Sequence, residues 1–143
     1  MKPISTDSAS YTKECSKRRP DILYETIYRY VIVEIDENQH KSYEDRCECA
    51  RINEITSSLV AHYIKPVIFV RYNPDVVKNK GKTINYTEEY RLKLLLDVVK
   101  GELNKAKNSE EYHVELIQLF YDDNYSKYKE TKKEDITKLV TAI

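Results

Sequence analysis

Arg29-Tyr30-Val31-Ile32-Val33-Glu34-Ile35-Asp36-Glu37-Asn38-Gln39-His40 is the stretch whose reading decides the fold of this chain. Its first half is β-branched and aromatic, as a central strand should be. Its second half turns acidic and polar. A buried strand over residues 29–37 is therefore expected, with carboxylates gathered at its C-terminal end. Upstream, residues 21–26 read as a shorter strand. Few residues separate the two, so an antiparallel hairpin is the simplest link, although no Asn-Gly pair marks its turn.

Downstream, residues 43–63 read as a helix and Pro66-Val67-Ile68-Phe69-Val70-Arg71-Tyr72 as a short buried strand. Strand, helix and buried strand in that order suggest a right-handed βαβ crossover with parallel pairing. Asn73-Pro74-Asp75 ends the strand as a turn and helix cap, and residues 78–82 form a basic loop around Gly81. Residues 87–106 are expected to form a second helix with Leu92, Leu95, Leu96, Val99 and Leu103 on one side. Residues 112–120 look like a last strand. The polar residues 1–18 read as a flexible lead-in. Residues 19–121 make the domain, and 122–143 a tyrosine- and charge-rich tail in which Ile136, Leu139, Val140 and Ile143 could build a short docking helix. The expected class is α/β, a mixed central sheet (antiparallel hairpin, then βαβ crossover) flanked by helices.

A chain of 143 residues suits one core. Gly81 and Gly101 are the only glycines, which argues against a Gly-rich phosphate cradle. The formal net charge is zero, so any grip on nucleic acid must come from local patches. No apolar run approaches the roughly 20 residues that a membrane helix needs. A polar N-terminus and an odd set of cysteines, Cys15, Cys47 and Cys49, lead us to expect a soluble protein of a reducing intracellular compartment, cytoplasm or nucleus. With His62 these cysteines match no standard zinc spacing. The 13 tyrosines are scattered, and some could stack on bases.

Side chains alternate along a strand, so Glu34 and Asp36 share a face. A turn centred between Ile27 and Tyr28 would pair positions summing to 55, setting Asp21 opposite Glu34 with Cβ atoms about 5 Å apart. Two such carboxylates can hold one divalent ion; without it they repel, and one takes up a proton. Mg²⁺ or Mn²⁺ there would polarise a phosphoryl oxygen and acidify a bound water. Asp36, Gln39 and His40 would then position water or donate to the leaving group. The plainer alternative is an acidic strand end in solvent.

On the helix over 43–63, the inward stripe is Ile52, Ile55, Leu59 and His62, with Glu48 and Arg51 on the same stripe. Charges there need partners. Glu48 is a candidate ligand or acid/base group, and Arg51 could pair with a carboxylate or hold a phosphate; the alternative is an ion pair between the two. Arg71, inside an apolar strand, also needs a carboxylate or phosphate. Lys78, Lys80 and Lys82 could grip a DNA backbone or simply be solvated.

Arg19-Pro20-Asp21-Ile22, then Val33-Glu34-Ile35-Asp36-Glu37-Asn38-Gln39-His40, then Tyr43, Cys47-Glu48 and Arg51, then Val67-Ile68-Phe69-Val70-Arg71-Tyr72-Asn73-Pro74-Asp75 form an ordered set. It resembles the PD-(D/E)XK, restriction-endonuclease-like proteins of large DNA viruses and algae. More distantly it is similar to the very-short-patch repair endonucleases. The resemblance, over residues 15–80, implies a restriction-endonuclease-like core and Mg²⁺-dependent (or Mn²⁺-dependent) hydrolysis of DNA. It also implies a setting that includes the virus-infected cell. It implies metal binding by Asp21, Glu34 and Asp36. Where the family pattern ends in lysine this chain has Asp36, and Gln39 and His40 are the replacements for the lysine's role. Cutting both strands calls for two sites, so a homodimer is one expectation. The absent lysine, and the want of a helical look in the 20 residues before Asp21, motivate the alternative. That alternative is a nuclease-fold module that binds nucleic acid or another partner without catalysis.

Overall fold

In the computed structural model, residues 20–37, 45–105, 111–122 and 130–140 are described, residues 45–48 by their backbone alone. The deciding stretch forms β2 (Tyr30–Ile35), paired with β1 (Ile22–Glu25) in an antiparallel hairpin. Ile22 faces Val33 and Glu25 faces Tyr30, the register in which positions sum to 55. Helix α1 (Asp45–Val60) returns the chain to β3 (Val67–Tyr72), which runs parallel to β2. After a two-stranded ribbon, β4 (Val77–Asn79) and β5 (Lys82–Ile84), comes α2 (Glu88–Leu103), with Thr87 capping it by accepting from the Tyr90 N–H. Then β6 (Val114–Leu119) joins parallel to β3, and β7 (Thr131–Asp135) closes the far edge antiparallel to β6. The sheet order is β1-β2-β3-β6-β7. The expected mixed sheet is present, and no helix among the described residues is long and apolar enough to cross a membrane.

Alternation sends Tyr30, Ile32, Val67, Phe69 and Val114 to one face, where Ile52, Ile55 and Leu59 of α1 cover them. Val31, Val33, Ile68, Val70 and Ile117 go to the other face, under Val99 of α2. Phe69 is fully buried on the central strand. Phe69→Ala is expected to cost about 3–5 kcal/mol, read as a lower urea midpoint at unchanged slope. A cost near zero would contradict this packing.

Four expectations need correction. His62 is exposed, because α1 ends at Val60 and its inward stripe stops with it. Leu92 and Leu96 lie outward, 42% and 55% exposed, while Arg91, Val99 and Glu102 are buried. Two polar anchors set that rotation: Arg91 donates to the carbonyl oxygens of Asn73 and Asp75, and Glu102 accepts from Arg29 at 2.8 Å. The tail contributes strand β7, not a docking helix. The open edge of β6 supplies its backbone partners, and among the described residues a 3-10 turn, Thr137–Leu139, follows, with Ile143 outside them. The basic loop is an ordered ribbon. Lys80 and Gly81 hold φ of 52° and 79°, both left-handed, as a two-residue primed hairpin turn requires.

Candidate active site at the end of the parallel strands

Strands β2, β3 and β6 end together, since Ile35, Tyr72 and Leu119 are in register across the sheet. Ligands of α/β sheets favour that end. Continued one step beyond the Ile22–Val33 pair, the hairpin register sets Asp21 across from Glu34. Leu23 and Ile32 both face α1, so alternation sends Asp21 and Glu34 to that same face. The predicted juxtaposition therefore exists at the backbone.

The side chains use it differently from expectation. Asp21 is exposed, and its Oδ2 accepts from the Ile35 N–H at 2.7 Å. Glu34 is 2% exposed. Its Oε1 accepts from Nε of Arg71 at 3.1 Å, and its Oε2 meets Nη2 of Arg51. Burial pushes the Glu34 carboxyl up, but Arg71 and then Arg51 outweigh it and hold the group below the usual carboxylate range. Both Glu34 oxygens, expected to share an ion with Asp21, thus face guanidiniums. Two guanidiniums already neutralise Glu34 in a dry setting, where an unpaired charge would be costly. Arg51 and Arg71, each expected to need a carboxylate or a phosphate, both meet Glu34, and Arg51 occupies the inward stripe of α1 because its partner lies beneath it.

A folded-state carboxyl held low contributes stability above its unfolded range, and that contribution fades as pH falls through the folded value. Acid titration of the unfolding free energy should therefore show a loss below the ordinary carboxylate range that Glu34→Gln removes. An acid limb identical in the two proteins would contradict the triad.

Asp36 sits one residue past β2, 1% exposed. Its N–H donates to the Tyr72 carbonyl at 2.7 Å, and its Oδ2 accepts from the Tyr121 hydroxyl. Tyr121 was not singled out by sequence reasoning. Its place just beyond a strand parallel to β2, at the same end, is the signal that could have found it. Asn73-Pro74-Asp75 is a turn, as expected, but not the expected helix cap, since β4 follows it: Asn73 Oδ1 accepts from the Asp75 N–H at 3.0 Å, and its Nδ2 donates to the Phe120 carbonyl at 2.9 Å. Lys78, Lys80 and Lys82 are exposed on the ribbon. Gln39, His40 and the Glu48 side chain, with Cys15 and the Cys47 side chain, lie outside the described residues. Cys49 is an exposed free thiol. Among the described residues no three of His, Cys, Asp and Glu are gathered for a metal ion.

No family model matches the chain, and neither a curated protein nor a solved structure matches it.

Proposed function

We propose that this chain is a metal-dependent DNA endonuclease whose working carboxylates are Asp21 and Asp36, braced by Glu34 between them. One observation carries this function: Asp21, one residue before β1, accepts from the Ile35 N–H at the end of β2 that leads into Asp36, where three parallel strands finish together. The likeness of Pro20-Asp21 and of the run 34–40 to the PD-(D/E)XK pattern supports it.

The acidic set fits a cation in part. Asp21 is exposed and can offer an oxygen, whereas Glu34 does not fit as a ligand because both its oxygens face guanidiniums. A bound Mg²⁺ or Mn²⁺ would supply charge stabilisation at a phosphoryl oxygen and a more acidic water. Asp21 and Asp36 are the residues that would hold it. The Tyr121 hydroxyl orients the Asp36 carboxylate, as outer partners of ligands commonly do. Arg51 and Arg71, through Glu34, lock α1, β2 and β3 together at the level of the site. Gln39 and His40, three and four residues after Asp36, have the chemistry to position water and to protonate the leaving oxygen.

Nicking of supercoiled plasmid in Mn²⁺ tests this. Asp21→Ala and Asp36→Asn should each abolish cleavage that the wild type performs, and indifference to both changes would remove these residues from the chemistry. The neutralised state of Glu34 favours a second reading, a nuclease-like module without catalysis. It expects DNA binding and no cleavage with any divalent ion.

A further inference from the structure

Strands β4 and β5 stand apart from the main sheet as a ribbon of their own. Lys78 faces Thr83 and Asn79 faces Lys82, so Lys80-Gly81 is the tip. Residues 77–84 carry three lysines and no carboxylate. All three lysines are exposed, and among the described residues none joins an ion pair. Of the other described lysines, Lys65, Lys105 and Lys132 meet Glu25, Glu102 and Glu134, while Lys93, Lys100 and Lys133 are spread singly over α2 and β7. The tip lysine also holds a left-handed backbone, φ 52°, that costs an L-residue about 1–2 kcal/mol. Charge is therefore presented at a position where Gly or Asn would be easier.

The ribbon is firmly rooted. Val77 is 1% exposed in the core that includes Phe120, and Ile84 packs against the same cluster. The Lys78 N–H donates to Asp122 Oδ1 at 2.9 Å. Asp122 follows Tyr121, whose hydroxyl meets Asp36. The basic ribbon and the acidic strand end are thus joined through two successive residues, at one pole of the molecule.

We propose that residues 77–84 are a duplex-DNA-binding ribbon, with Lys78, Lys80 and Lys82 on the phosphate backbone beside the candidate active site. This rests on DNA being the substrate, and it does not require cleavage. A two-stranded ribbon fits the major groove of B-DNA, about 12 Å wide, and lysines meet phosphates as point charges. With net charge zero over the chain, a duplex would be drawn to a local basic patch of this kind.

The full chain would be titrated against a short duplex, and against one of its strands alone, by fluorescence anisotropy in EDTA over a salt series. The variant combines Lys78→Gln, Lys80→Asn and Lys82→Gln, asparagine being tolerated at the left-handed tip. Wild type should prefer the duplex. In the variant the slope of log affinity against log salt should shrink by about 2.7, the value for three lost phosphate contacts. An unchanged slope, equal affinity for the single strand, or no binding to either would overturn the assignment. Failure of the catalytic reading looks different: duplex binding intact in EDTA, with no cleavage when Mn²⁺ is added.

Discussion

Glu34→Ala is expected to destabilise the fold by about 3–5 kcal/mol, because it leaves two buried guanidiniums facing each other without their shared carboxylate. Glu34, Arg51 and Arg71 are 2%, 3% and 4% exposed, so water cannot take over the missing role. In a chain of 143 residues a loss of that size lowers the melting temperature by roughly 10 °C or more. Glu34→Gln keeps the shape but loses the charge and should fall between the two. The triple change Glu34→Leu, Arg51→Met and Arg71→Met should recover much of the loss, since apolar residues of similar volume often replace a buried ion group without penalty. Thermal and urea unfolding read all three. A Glu34→Ala protein as stable as wild type would mean a solvated carboxylate, free after all to bind a cation.

Asp36→Asn should leave stability nearly unchanged and lower the cleavage rate by about 100-fold or more. Asparagine keeps an oxygen to accept the Tyr121 hydroxyl, so the local hydrogen bond survives. What disappears is a negative charge worth several kcal/mol to a metal-assisted transition state, and each 1.36 kcal/mol is tenfold in rate. Tyr121→Phe removes only the orienting bond and should cost less, about 10–100-fold. Single-turnover cleavage with saturating Mn²⁺, beside urea unfolding of the same proteins, separates the two effects. Wild-type cleavage in Asp36→Asn would refute its assignment, and a stability loss matching that of Glu34→Ala would show a structural group instead.

The hairpin was legible in the sequence because side-chain alternation and a turn centred near Ile27 together fix one register, and Ile22 opposite Val33 is that register. Ile52, Ile55 and Leu59 were legible for the same reason at helical period. The fate of Glu34 was not. A carboxylate at a strand end suits a cation and a guanidinium equally, and the outcome depends on Arg51 and Arg71 converging from two other elements. The face of α2 was legible in part: Leu95, Val99 and Leu103 pack inward, while Leu92 and Leu96 turn outward because Arg91 and Glu102, each tied to a distant partner, set the rotation. Strand β7 was hidden by its composition. Thr131-Lys132-Lys133-Glu134-Asp135 has no apolar alternation, which is a common condition of an outermost strand protected against unwanted pairing.

Arg91 grips main-chain oxygens on either side of Pro74, and its guanidinium also lies 4.9 Å from the Phe120 ring centroid. A strap fastened to carbonyls is indifferent to which side chains the strapped residues carry. The connector before the ribbon is thus held through its main chain by one side chain of α2, in addition to the anchors that Val77, Ile84 and Asp122 provide further on.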